Sequence, residues 1–181
     1  MLEKMKIIQE MSSLFSAADA YLMPNTEADV RSYLRENISP RLGADLGNHP
    51  AVAQICALDS DHIYEFAPFP GIAALIFSCK TIERILFVGP IATENYTTHN
   101  LLAYLQQQNI PHQRIEQFMA VASNLPTMRL SDFYRFMDIL LRHICDIHFP
   151  VPVKKMEQAY HADPLSLLAE AGQIQDISHI R

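Results

Sequence analysis

The chain has little glycine, no tryptophan and no basic tract, and each shortage removes a class of function. Five glycines in 181 residues leave little material for loops that cradle phosphate by close backbone approach, and no P-loop, GxGxxG or GxSxG pattern occurs. Three cysteines, Cys56, Cys79 and Cys145, are odd in number and widely spaced, which fits reduced thiols better than a disulfide framework. Fourteen Lys and Arg against twenty Asp and Glu give a net charge of −6, and Lys154-Lys155 is the only adjacent Lys/Arg pair. DNA binding rests on clustered cations that displace counterions, so a primary nucleic-acid surface is not expected. No apolar run is long enough to cross a bilayer. The N-terminal MLEKMKIIQEMSSLF mixes charge into its apolar residues, unlike a signal peptide, and a cytoplasmic protein without membrane contact is expected.

What is present is apolar patterning. With 49% apolar residues, a chain of this length buries a real core, roughly 70% of its unfolded surface. The stretch HIYEFAPFPGIAALIFSCKTIERILFVGPIA, from His62 to Ala92, holds three short apolar runs separated by turn residues. It predicts strands over 62–67, 71–79 and 84–91, a meander of antiparallel neighbours. IAALIF is apolar on both faces, so helices are expected on both sides of the sheet. Around this block the period is helical. Met5, Ile8, Met11 and Phe15 form a stripe, Thr26 caps TEADVRSYLREN, and Pro50 opens AVAQICAL. Thr97 or Thr98 caps a helix to about residue 108, and a second helix spans about 113–125. Ser131 caps the longest one, SDFYRFMDILLRHICDIHF. That helix carries two apolar stripes, Phe133/Phe136/Met137/Leu140/Ile144/Ile147 and Tyr134/Leu141/Cys145/His148, more than one sheet face needs. Part of it is therefore expected to meet another subunit or domain. PVPVK, 150–154, reads as a stiff extended connector, and one further helix is expected at about 164–171. Ile174, Ile177 and Ile180 make an unfinished pattern, as if the chain were cut there.

Chemistry-bearing motifs are sparse. HICDIH, 143–148, places Cys145 and His148 three apart on the expected helix, but zinc needs three or four ligands, and partly buried core residues are the better reading. Glu65 on an apolar strand is either a pocket carboxylate or, as favoured here, an outward-facing edge residue. Asp59, Asp61 and His62 resemble a ligand cluster, yet Asp-Ser-Asp is ordinary turn chemistry and the turn is favoured. The strand aromatics Tyr64, Phe66, Phe77 and Phe87 either line a pocket between sheet and helices or fill the core. No metal, cofactor or catalytic residue is expected.

Three fragments in order carry a family resemblance: RILFVGPIA followed by a helix and Asn109-Ile110-Pro111; a helix ending in Asn124-Leu125-Pro126; and Arg129-Leu130 ahead of the long Phe/Leu-rich helix. The tail YHADPLSLLAEAGQIQDI adds a Tyr-His before a leucine pair and a glycine. Over roughly residues 60 to 180 this resembles the N-terminal sensory region of AraC-type transcriptional regulators from Gram-positive bacteria, a divergent PAS- or GAF-like domain. The resemblance implies that the Tyr-His tail leads to two helix-turn-helix motifs, which these residues do not contain.

The resulting expectation is an α+β domain, PAS/GAF-like, with a central antiparallel sheet flanked by helices. Residues 1–154 form the sensory domain, and 155–181 a helical linker toward a DNA-binding domain absent from this chain. The expected function is effector sensing and homodimerisation for a transcriptional regulator. A small-molecule effector would be lined by Tyr64, Phe66, Phe77 and Phe87, and DNA would be reached only through the other domain. The alternatives are a dimerisation module that binds no ligand and a small enzyme using Glu65, His62 or the Cys145/His148 pair.

Overall fold

A computed structural model describes residues 2–14, 18–39 and 51–156. A five-stranded mixed sheet runs through its centre in the order β1-β4-β3-β2-β5. The strands are β1 (Ala20–Pro24), β2 (Ile63–Phe69), β3 (Ile72–Cys79), β4 (Arg84–Ala92) and β5 (Val153–Lys155). The helices are α1 (Leu2–Leu14), α2 (Glu27–Tyr33, continued by a wider turn over Leu34–Ile38), α3 (Ala51–Cys56), α4 (Thr98–Gln107), α5 (His112–Ala122) and α6 (Leu130–Ile144). The α+β plan of a sheet between helices is therefore the fold. Among the described residues no helix is long and apolar enough to cross a membrane.

The expected meander is present. β2 pairs antiparallel with β3 and β3 with β4, Tyr64 opposite Ile76 and Phe77 opposite Leu86. The β2–β3 turn needs Gly71 at φ +76, because a Cβ there would stand 2.4 Å from the Tyr96 backbone. Every residue of β3 is buried, as two covered faces require. On one face Met23, Phe66, Ile76 and Phe87 meet α2 through α5. There the Phe69 and Phe118 rings lie 4.5 Å apart and anchor α5. On the other face Leu22, Leu75, Phe77 and Leu86 meet α1 and α6.

Both outer strands differ from the expectation. β1 was not foreseen; it pairs antiparallel with β4 and ends at Pro24, a residue tolerated on an edge because it owes the ladder no N–H. The extended connector forms β5, which runs parallel to β2 and makes the sheet mixed. Ile63 N–H donates to Pro152 O at 2.9 Å, and Met156 N–H to Glu65 O at 3.0 Å.

Helix starts follow their caps in most places. Thr26 Oγ1 accepts from Asp29 N at 3.2 Å, and Thr97 Oγ1 from Asn100 N at 3.0 Å. For α6 the expectation fails, because Ser131 lies inside the helix. Its first turn is capped from another element, by Glu94 Oε2 accepting from Leu130 N at 2.7 Å. That backbone bond holds the Glu94 carboxyl below its ordinary pKa. α6 also ends early, at Ile144, where Cys145 caps it and Asp146 turns left-handed at φ 56. His148 therefore does not share a helix face with Cys145; it pairs with Asp146 Oδ1 at 2.6 Å. The buried residues of both α6 stripes pack within the chain, one core holding Phe133, Phe136, Met137, Leu140 and Ile144 together with Leu141 and Cys145. α1 supplies the extra cover that the two stripes need.

Phe15, Pro50, the linker beyond Met156 with its Tyr-His pair, and the helix expected at 164–171 lie outside the described residues.

Candidate functional site

A cleft of about 260 Å³ lies at the β2–β5 edge, below the end of α3. Gln54, Ala57 and Leu58 form one wall, Tyr64 the base, and Lys154, Lys155 and Met156 the other wall. Strand pairing builds it. Tyr64 is the second residue of β2 and faces the helical layer, and parallel register sets Lys154 directly beside it. Met156 returns to the core with 5% of its surface exposed, while both lysines remain in solvent.

The turn before β2 holds Tyr64 in place. Asp61 N–H donates to Asp59 Oδ1 at 3.0 Å, closing the turn that Asp-Ser-Asp predicts. The same carboxylate takes the Tyr64 hydroxyl proton on Oδ2 at 2.6 Å and meets His62 Nδ1 at 3.1 Å. The His62 and Tyr64 rings stand edge to face, 5.9 Å between centres. The Tyr64 hydrogen bond, then those of Asp61 and His62, holds the Asp59 carboxyl down at about 2. Burial first, and the bond to Asp59 second, pushes Tyr64 up to about 12. Because the Tyr64 hydroxyl donates its hydrogen bond to Asp59, its oxygen has only acceptor capacity left for a ligand. The cleft therefore offers the Lys154 ammonium, one phenolic acceptor and an apolar side made by Leu58 and Met156, while Lys155, in register with Glu65, alternates to the other face of the sheet. That set suits a small anion with an apolar body and a hydrogen-bond donor.

The four aromatic candidates do not converge. Tyr64 lines the cleft. Phe66 and Phe87 lie deeper under the same helical layer, at 3% and 1% exposure, and fill the core there. Phe77 points to the opposite face, against α1 and α6, because side chains alternate along a strand. Gln54, Leu58, Lys154, Lys155 and Met156 were not among the candidates. The lysine pair and Tyr64 are each visible in the sequence, but the strand pairing that makes Lys154 and Tyr64 neighbours is not.

Glu65 is not outward. It is 5% exposed, faces α6, and accepts the Tyr134 hydroxyl at 2.6 Å. The outward reading fails because β5 makes β2 an inner strand while α6 covers that face. Burial, then the bond to Glu65, pushes the Tyr134 hydroxyl well above its ordinary pKa. Glu65, His62 and the Cys145/His148 pair are thus held apart, by the sheet in the first case and by the end of α6 in the last. Among the described residues no three His, Cys, Asp or Glu side chains are placed to hold a metal ion.

A second hollow of about 510 Å³ runs along the outside of α6, between Met128, Arg129, Asp132 and Arg135. Two of its charges face each other, Arg135 and Asp132 at 4.0 Å. It has no element like Tyr64 that is fixed from behind.

No protein-family model matches the chain, and no curated protein or solved structure shows significant similarity to it.

Proposed function

We propose that this protein is a cytoplasmic effector-sensing domain whose ligand, a small organic anion, occupies the cleft at Tyr64 and Lys154. One observation carries the reading: the strand that forms a wall of the cleft is the same strand from which the chain passes to residues 157–181. β5 is short and exposed, and it is held to the sheet by its backbone bonds to β2. A ligand bridging Tyr64 and Lys154 would favour the state in which β5 is docked. That preference between two states is the minimum a sensor needs, since equal binding to both transmits nothing. In this reading the signal passes along the linker to a DNA-binding helix-turn-helix domain of a transcriptional regulator. The acidic sensory part stays off the DNA. The protein works as a homodimer; Phe149 and Val153, 69% and 38% exposed beside β5, favour a partner surface there.

The test is a thermal-unfolding screen with short mono- and dicarboxylates, hydroxy acids and amino acids, each against its neutral amide. A binder at about a hundred times its Kd stabilises the native state by about 2.7 kcal/mol. The expected result is stabilisation by the acid and not the amide, lost in the K154A variant. Stabilisation that survives in that variant, or none across the panel, would overturn the assignment.

A further inference from the structure

We propose that the ligand of the cleft is an apolar α-amino acid, its carboxylate held by the Lys154 ammonium and its own ammonium by the Tyr64 oxygen. The inference rests on the sensing reading and narrows it. The anionic group becomes an α-carboxylate, and the hydrogen-bond donor beside it carries a positive charge.

The cleft has two poles and a side. Parallel register sets Lys154 beside Tyr64 on one face of the β2–β5 edge. Neighbouring strands lie roughly 4.8 Å apart, so the two groups suit a head whose charges share one carbon, not one whose charges end a long chain. At the first pole Lys154 is exposed and donates.

At the second pole the Tyr64 hydroxyl donates to Asp59 Oδ2 at 2.6 Å, which leaves its oxygen to accept. The Asp59 carboxylate, held ionised by that bond at about 2, stands one hydrogen bond behind the phenol oxygen. His62 Nδ1, 3.1 Å from the other carboxylate oxygen, helps to keep it aimed. Negative charge behind an acceptor favours a cationic donor over a neutral one. An ammonium therefore fits this pole better than a hydroxyl or an amide, and a second carboxylate is repelled from it.

The side is apolar. Ala57 and Leu58 at the end of α3 and Met156, 5% exposed, line the same cleft. Gln54 is polar but uncharged, so a basic side chain on the ligand finds no carboxylate in the lining, whereas an aliphatic one leaves water. The volume of about 260 Å³ lies under the roughly 300–1,000 Å³ of sites for drug-sized ligands, which suits one amino acid and not a peptide. Contacts to carboxylate, ammonium and side chain together fix chirality, because the D-enantiomer cannot make all three.

Calorimetric titration of the full chain with L-leucine, L-valine, L-methionine and L-phenylalanine tests the assignment. Each is set against the matching acid without its ammonium, the matching amine without its carboxylate, and the D-enantiomer. At least one L-amino acid is expected to bind, and loss of either charge should weaken it roughly ten- to a hundredfold. The D-enantiomer should also bind more weakly. Asp59→Asn keeps an acceptor for Tyr64 but removes the charge. It should weaken the amino acid severalfold and leave the matching acid unchanged, a split that a merely structural role for Asp59 would not produce. Should that variant not fold, the analogue series on the wild-type chain decides. A deaminated acid that binds as tightly as its amino acid, and is lost in K154A, would overturn the amino-acid assignment while the sensing cleft stands. Failure of all four amino acids and of their acids would overturn both.

Discussion

The two faces of the sheet are built on different terms. One carries four helices, α2 to α5, and leaves a cleft at its edge where polar groups reach solvent. The other carries α1 and α6, and it buries Glu65, Cys79 and Cys145 and partly covers Tyr134 among Phe77, Phe133 and Leu140. A polar group inside an apolar layer persists only when its hydrogen bond is made within the protein. On this covered face the Glu65 carboxylate takes its partner, Tyr134, from a different element. At the cleft, Asp59 and Tyr64 satisfy each other, and the two lysines rely on water. The covered face is therefore the place where a lost partner is costly, and the open face is where one can be exchanged for a ligand.

The sharpest test of that contrast is truncation of the core. Phe133→Ala, a fully buried site under the sheet, should lower the unfolding free energy by about 3–5 kcal/mol in urea denaturation. Leu58→Ala at the cleft wall, only partly buried, should cost less than half as much; equal losses would break the comparison. Next comes Tyr134→Phe, which strips the buried Glu65 carboxylate of its donor and should cost about 1–3 kcal/mol. Glu65→Gln keeps an acceptor for Tyr134 and should cost less, a rank order that denaturation curves of the two variants will check.

Acid response belongs to the open face. Asp59 sits at about 2 in the folded chain, below the roughly 3.9 of an unfolded aspartate, so its contribution is present above about pH 4. It is lost as pH falls toward 2. Asp59→Asn should flatten stability over that window by lowering it at neutral pH while leaving it almost unchanged near pH 2, as thermal melts across pH will show. Tyr64 acts in the opposite sense. Raised from 10 to about 12, it stabilises the fold below pH 10 and loses that contribution as pH climbs toward 12. The smallest effect is expected from Lys154→Ala and Lys155→Ala, within about 0.5 kcal/mol by thermal melt, since both side chains are exposed. A larger loss would mean that the lysines support the fold and not a ligand.

Much of the fold was legible where the signal is local. The turns around Gly71 and Lys80, the alternation in β2 and the doubly apolar β3 marked three adjacent strands, and Thr26 and Thr97 marked helix starts. The cap of α6 was misread because its acceptor, Glu94, is thirty-six positions away. Of the site, the sequence showed Tyr64 as an aromatic strand residue and Lys154-Lys155 as a basic pair, without a reason to join them. Glu65 was misassigned because its face depends on a strand and a helix from the far end of the chain.

The sequence by itself determined the elements whose cause lies within one or two turns of chain: hydrophobic period, turn residues and side-chain caps. Only the tertiary structure decided which strand lies at which edge, which helix seals Glu65, and that β5 brings Lys154 to Tyr64. The physical reason is that backbone pairing between distant strands leaves no periodic mark in either segment. A three-residue edge strand acquires its place only from the hydrogen bonds that β2 offers it.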